Sequence, residues 1–379
     1  MSVRVPIKPN VLEWAIRKTG APVEELAQSS DFKNIIEWLT EDKAPTVRQA
    51  EKLAAKAGIP YPFLLLNEPV QDEILLPDFR TRGNISITNP SPELEQVIND
   101  CTARLDWYVE FARDEDLLPV ALIESAHISQ SPEQTAIEVR DALGWVPGRY
   151  SLGETAVSKL SAAIENTGIL VMRSAMVKNN TKRPLDQGEF SGFTLINNGF
   201  ALIFVNAKDT KSAQLFSLAH ELGHVVTGQP GISAEHSPKS ELEVERWCNK
   251  FAAEFLIPAT YFGEIWSEEH SPTDAVSRIA QRVGASPEAV VWRGVELGFI
   301  PSGNAQSLIK ECSYDGPRKT PDGGNGLNNI RPRIGQRFLA AVSSVIGTDL
   351  LSITDAMYYL GTKNRETVRD LMSPREKSA

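Results

Sequence analysis

The stretch that most constrains this chain runs from Leu215 to Pro258, where LFSLAHELGH is followed one helix later by EVERWCNKFAAEFLIP. His220 and His224 stand four residues apart, and on an α-helix that spacing projects both imidazoles from one face toward a single point. Two imidazoles so placed can share one metal ion. Glu221 lies beside the pair rather than within it, which suits a general base acting on a metal-bound water. A catalytic zinc takes three protein groups and leaves its fourth position to water, so a third ligand has to come from elsewhere.

Gly228, Pro230 and Gly231 are expected to end the first helix, and a second helical pattern runs from about 239 to 257, stopped by Pro258. On it Glu241, Glu245, Asn249 and Ala252 share a face, while Glu243 points elsewhere. Glu245 is the candidate third ligand and Glu241 the alternative. Asn249, four residues after Glu245, is placed to bond an imidazole N–H and fix its tautomer. The competing reading is a chance H-E-x-x-H in a chain with five histidines. Context weighs against chance: the motif sits in an apolar helix (Leu215, Phe216, Leu218, Leu222, Val225), after a β-rich stretch and before a helix with an inward carboxylate.

These residues resemble the ImmA/IrrE family of zinc metallopeptidases, whose second helix reads E-x-x-A-N-x-F-A before a terminal L-x-P. The resemblance spans about 155 to 300. It implies Zn2+ held by His220, His224 and Glu245, with Glu221 as catalytic base. Cys248 stands where the family usually has Ala, a small thiol that packing tolerates and that a metal could reach. The resemblance also implies a protein partner, a repressor or a toxin, that is cut or displaced rather than digested in bulk.

A chain of 379 residues is expected to form two or three units. Its net charge of −10 argues against a protein built mainly to coat nucleic acid or an anionic membrane. Three widely spaced cysteines, Cys101, Cys248 and Cys312, fit free thiols in a reducing compartment. No run of about 18 apolar residues occurs and MSVRVPIKPN has no apolar core, so a soluble, cytoplasmic protein without membrane partners is expected.

The fold class expected is α+β, mainly helical. Residues 1–69 form an XRE-like helix-turn-helix domain, 70–150 a linker and helical segment, and 151–300 a zincin-like metallopeptidase domain with a small mixed sheet. A flexible linker at 301–333 and a C-terminal helical unit at 334–379 complete the division. From Val11 to Leu66 five short helical patterns follow one another, resembling the XRE-type repressors in order and length. As a DNA reader the third pattern, DFKNIIEWL, offers only Lys33 and Asn34. Residues 1–66 carry nine Lys/Arg against eight Asp/Glu, which favours a helical docking domain slightly over operator binding.

The connector from Asn67 to Pro90 reads as an ordered linker, and helices are expected from Ser91 to about Arg113, Pro132 to Leu143 and Thr155 to Asn166. Strands follow at 168–174, 189–197 and 200–206, the last two joined by an Asn198-Gly199 hairpin. Taking the middle strand as the sheet edge, by analogy with other zinc peptidases, Ser191, Gly192 and Phe193 would line the substrate cleft, Gly192 allowing close approach. A bulge glycine in a buried strand is the equal alternative. Helices are expected at 260–267, 273–283 and 287–297. His127 reads as a surface residue, and His236 and His270 as loop residues within reach of the cleft. After the Gly-, Pro- and Asn-rich stretch a second, minimal helix-turn-helix follows, with Lys363, Arg365 and Arg369 near its final helix; DNA binding and simple docking are equal readings there.

Together these readings predict peptide hydrolysis on a regulatory protein, with a helical domain for targeting to DNA or protein. Two other classes stay open: a non-catalytic antitoxin or transcriptional regulator with a structural zinc site, and a small-molecule hydrolase using the same ion.

Overall fold

The computed structural model describes residues 4–69 except 20, 58 and 60, then 90–150, 154–233, 243–312, 326–348 and 351–372 except 363. The described residues divide into two compact units, one holding the N-terminal helices and the chain to Asn99, the other the chain from Asp100 onward. The connector at 70–89 and the stretch at 313–325 lie outside the described residues.

In the first unit α1 (Pro9–Lys18), α2 (Val23–Ala27), α3 (Ile35–Leu39) and α4 (Val47–Ala57) precede a 3-10 turn at Tyr61–Leu65. Val11, Leu12, Ala15, Leu26, Ile35, Trp38, Leu53 and Leu64 form its core. The Lys18 ammonium pairs with Glu95 near the start of α5 (Pro92–Asp114).

The second unit continues with α6 (Pro132–Leu143) and α7 (Glu154–Asn166), then strands β1 (Leu170–Ser174), β2 (Gly192–Asn197) and β3 (Phe200–Asn206). Next come α8 (Lys211–Thr227), a short β4 (Gly231–Ser233) and α9 (Glu243–Leu256). Helices α10 (Ala259–Glu268), α11 (Pro272–Val283), α12 (Pro287–Glu296), α13 (Ala305–Cys312), α14 (Gly326–Ile334), α15 (Gln336–Val345), α16 (Ile353–Tyr359) and α17 (Arg365–Met372) complete the described chain. The architecture is mainly helical α+β. No described helix is long and apolar enough to cross a membrane.

Helix starts follow local chemistry. Ser131, Ser271 and Ser286 each accept a hydrogen bond from the backbone N–H three residues on, and each is followed by proline at the first helical position. The β2–β3 hairpin turns on Asn198 and Gly199, whose φ angles of 47° and 80° give the twist that two-residue turns need.

The strand order is β1-β3-β2-β4, with β1 parallel to β3 and the other pairs antiparallel. The expected edge is therefore corrected: β4 lies outside β2, pairing Gly192 with Ser233, Phe193 with Ile232 and Thr194 with Gly231. The turn that ends α8 leads the chain straight back along β2, and three residues suffice for the ladder.

Two further expectations change. The stretch 301–333 contains α13 and α14, because Ala305 and Leu308 bury one helix face and Ile330 and Ile334 the other. The C-terminal helices do not stand apart. Ile334, Phe338 and Val342 are buried, α14 and α15 pack against β1, and α15 also packs against α7. The Arg337 side chain donates to the Glu165 carbonyl and to the Tyr108 hydroxyl, and Phe338 meets Trp107 edge to face.

One buried ion pair ties the helices around α9. Arg293 on α12 pairs with Glu254 on α9, and its Nε donates to the Ile257 carbonyl. Glu254 also accepts the Ala259 N–H at the start of α10, and Arg140 on α6 donates to the Glu254 carbonyl. Four helices are fixed through one carboxylate and its backbone.

Candidate metal centre

Helix α8 is capped at its start by the Thr210 hydroxyl and ends on Gly228 in the left-handed conformation. Between Gln214 and Thr227 nearly every residue is buried, since α8 lies between the sheet, α7 and α9. The polar groups it carries inward are therefore costly unless each meets a partner. Gly223, between Glu221 and His224, gives the room: a Cβ there would lie 3.2 Å from the Cys248 sulfur and 3.3 Å from Phe251 on α9.

The close crossing of α8 and α9 brings Glu245 to the histidines. The two Nε2 atoms of His220 and His224 are 3.2 Å apart. Glu245 Oε2 is 3.2 Å from His220 Nε2 and Oε1 is 3.3 Å from His224 Nε2. A tetrahedral zinc with bonds of about 2.0–2.1 Å sets its ligand atoms about 3.3–3.4 Å apart. Each separation has the length of an edge of such a shell, the Glu245 carboxylate reaching the two rings through different oxygens. Among the described residues this is the one group of three His, Cys, Asp or Glu side chains whose ligand atoms gather within 4.8 Å.

The outer ring nitrogens are both committed to acceptors. His224 Nδ1 lies 2.8 Å from the Gln229 carbonyl, which can only accept, so Nδ1 carries the proton. His220 Nδ1 lies 3.0 Å from Asn249 Oδ1, the same arrangement with a side-chain carbonyl. Both Nε2 atoms are then left facing each other and the Glu245 carboxylate, a place for positive charge, whether a proton on a ring or a cation held between them. Burial pushes the Glu245 carboxyl up, but its contacts with His220 and His224 outweigh that and hold it well below the usual carboxylate range. Burial also pushes the Cys248 thiol up. The donor set fits zinc.

Glu221 is fully buried, and its Oε2 accepts the Thr194 hydroxyl at 2.8 Å from β2. Gly192 is the other neighbour on that strand, with Glu221 Oε1 2.9 Å from where a Cβ would stand. Phe193, expected in the cleft, points to the opposite sheet face, stacked on Phe204 at 4.9 Å. Ser191 is buried, its carbonyl accepting from the Asn206 backbone N–H. Of the three residues expected along the cleft, Gly192 alone is placed against the Glu221 side chain.

The remaining candidates scatter. His127 and His270 are exposed, and Glu243 is exposed on α9. His236, Glu241 and Lys363 lie outside the described residues. Lys33 is exposed and Asn34 half-buried just before α3, while Arg365 and Arg369 are exposed on α17.

Sequence reasoning missed Thr194, Gly223 and Gln229. The hydroxyl of Thr194 within an otherwise apolar buried strand is a signal that could have been followed. Gln229 acts through its backbone, so its residue type carries no trace.

No curated protein matches the chain. The segment that supplies the sheet, both histidines, Glu221 and Glu245 coincides with a family match, for residues 164–293 fit the model of the IrrE N-terminal-like domain, a peptidase family.

Proposed function

We propose that the chain is a zinc-dependent metallo-endopeptidase acting on a regulatory protein, a repressor or toxin-antitoxin partner, with its helical N-terminal domain for targeting. The observation that carries this reading is the trio of 3.2–3.3 Å separations among His220, His224 and Glu245, with both Nδ1 atoms already committed. Zinc held there would supply an acidified water, with a pKa of about 7, and a Lewis acid for the scissile carbonyl.

The chain's own residues do the rest. His220, His224 and Glu245 hold the ion, and Asn249 and the Gln229 carbonyl keep the rings turned toward it. Glu221 takes a proton from the attacking water as the new C–O bond forms. It returns that proton to the amide nitrogen as the C–N bond breaks, leaving an amine and a carboxylic acid that gives up its remaining proton to solvent. An extended substrate is expected to add along β4, the strand outside β2 in the sheet.

One observation favours a second reading, a non-catalytic regulator with a structural zinc. Glu221 is fully enclosed and His224 is 1% exposed, which resembles a closed site. Glu221→Gln separates the two. The peptidase reading expects retained zinc and an intact partner co-purifying with the variant, where wild type yields cut fragments by mass spectrometry. An uncut partner with both proteins supports the regulator. Targeting to DNA through Lys33 and Asn34, or through Arg365 and Arg369, would appear as salt-dependent fluorescence anisotropy with the gene's upstream region. Absence of that dependence would retire the operator role.

A further inference from the structure

A glutamate beside two metal ligands works as a base only if its carboxylate is held within hydrogen-bond reach of the proton it takes, about 2.6–3.2 Å. Its side chain has three rotatable bonds, so something must choose among the rotamers. In this fold the choice is made across the sheet. Gly192 and Thr194 alternate with Phe193 on β2 and share the face that packs on α8, while Phe193 faces away.

Thr194 is fully buried, and its hydroxyl lies 2.8 Å from Glu221 Oε2 and 3.1 Å from the Glu221 backbone carbonyl. A hydroxyl has one hydrogen to give, and a carboxylate is the stronger acceptor. The β-branched side chain is stiff at χ1, so the donor is fixed in place before any ligand arrives. On the other side Glu221 Oε1 lies 2.9 Å from the Cβ position of Gly192, and that same position is 2.9 Å from the Phe204 carbonyl. A methyl group there would press on backbone on one side and on the carboxylate on the other. The absent side chain at Gly192 and the hydroxyl at Thr194 thus make a two-sided seat.

We propose that Thr194 is a positioning residue that aims the Glu221 carboxylate, with Gly192 kept free of a side chain so that the carboxylate fits. This rests on Glu221 being the base of the proposed peptidase. Thr194 touches neither ion nor substrate in this scheme and acts only through Glu221.

Acetohydroxamic acid tests it without a known substrate. A hydroxamate chelates zinc through two oxygens and gives its acidic proton to an adjacent carboxylate, so its affinity reports how that carboxylate is held. The zinc-loaded full chain is titrated calorimetrically with this probe, alongside metal content and thermal midpoint. Thr194→Val is expected to keep stoichiometric zinc yet bind the probe about tenfold more weakly, as for loss of one charge-assisted hydrogen bond. Thr194→Ser is expected to stay within about twofold of wild type, and Gly192→Ala to weaken binding with zinc retained. Thr194→Ala gives the same hydroxyl loss should the valine variant fail to fold.

Wild-type affinity in Thr194→Val or Thr194→Ala, with Glu221→Gln weakened, would overturn the positioning role and leave the peptidase reading standing. Unchanged affinity in Glu221→Gln would remove the base assignment itself. Loss of zinc or of folding in both hydroxyl-deleting variants, with serine restoring it, would assign the hydroxyl to the fold and overturn the proposal.

Discussion

His224 Nδ1 lies 2.8 Å from the carbonyl oxygen of Gln229, a residue only five positions on. The contact exists because α8 ends on Gly228 with φ of 65°, turning the next carbonyl back toward the ring. The device that terminates the helix therefore also fixes the tautomer of a candidate ligand. Gly228→Ala tests the link, since a Cβ there would meet the Glu124 side chain and adopt a conformation that L residues disfavour. Zinc affinity by chelator competition is expected to fall about 10–100-fold, the usual cost of disturbing an outer partner of a metal-bound histidine. Unchanged affinity would show that the carbonyl does not orient the ring.

Asn249 gives the parallel case for His220, with a side chain in place of backbone. Asn249→Ala is expected to lower zinc affinity by about 10–100-fold while leaving the donor atoms intact. Glu245→Ala is expected to abolish stoichiometric binding, because two imidazoles alone leave the ion under-coordinated. Removing the ion from wild type with a chelator is expected to lower the thermal midpoint, since an ion bound by the folded chain alone stabilises it. Equal midpoints with and without chelator would count against a metal at this trio.

What could be read from the sequence was local. The four-residue spacing of His220 and His224 fixes a helix face, and Asn198-Gly199 demands its turn, so neither depends on distant contacts. β4 left no such mark, for Gly231–Ser233 is too short to show alternation and follows a proline. Its pairing is imposed by where α8 ends. Thr194 and Glu221 are 27 residues apart, and a hydroxyl in a strand does not announce which helix it will meet. Within the stretch at 301–333 the linker reading fails at its two described ends, 305–312 and 326–333, while 313–325 lies outside the described residues. Its Gly, Pro and Asn content resembles a linker, yet Ile330 and Ile334 stand one helical turn apart and both are buried. The two-unit division separates the N-terminal helices, but a boundary before the C-terminal helices was not to be found where Arg337 crosses it to Glu165 and Tyr108.

The Arg293–Glu254 pair is shielded from solvent, with side chains 3% and 7% exposed. Removing one partner leaves an unmatched charge in a poorly solvated place, which costs about 3–5 kcal/mol in comparable sites. Arg293→Met is expected to destabilise by that order, measured as a shift in the urea midpoint at constant slope. Adding Glu254→Gln should recover part of the loss, because the stranded charge is then gone. A single variant no less stable than wild type would show that water already reaches the pair.

Glu165 predicts a pH dependence opposite to that of most carboxylates. Burial pushes its pKa up to about 7, against the backbone N–H groups of Arg337 and Gln336 and the charges of Arg337 and Arg173, which pull it down. Between the ordinary value of 4.5 and about 7 the folded chain holds a proton at this site that the unfolded chain has released. Stability must then fall as pH rises through that window and level off above it, with a ceiling of about 3 kcal/mol from the size of the shift. The carboxyl lies against the start of α15, where Arg337 N–H donates at 3.0 Å, so this titration is felt at the seam between α7 and the C-terminal helices. Glu165→Gln is expected to remove that part of the slope, leaving the variant relatively more stable at pH 8 than at pH 5. Comparing urea unfolding of the zinc-loaded wild type and variant at the two pH values cancels the metal site's own proton linkage. Identical slopes in the two proteins would mean that Glu165 is ionised in the fold, with the Arg337 contacts outweighing burial.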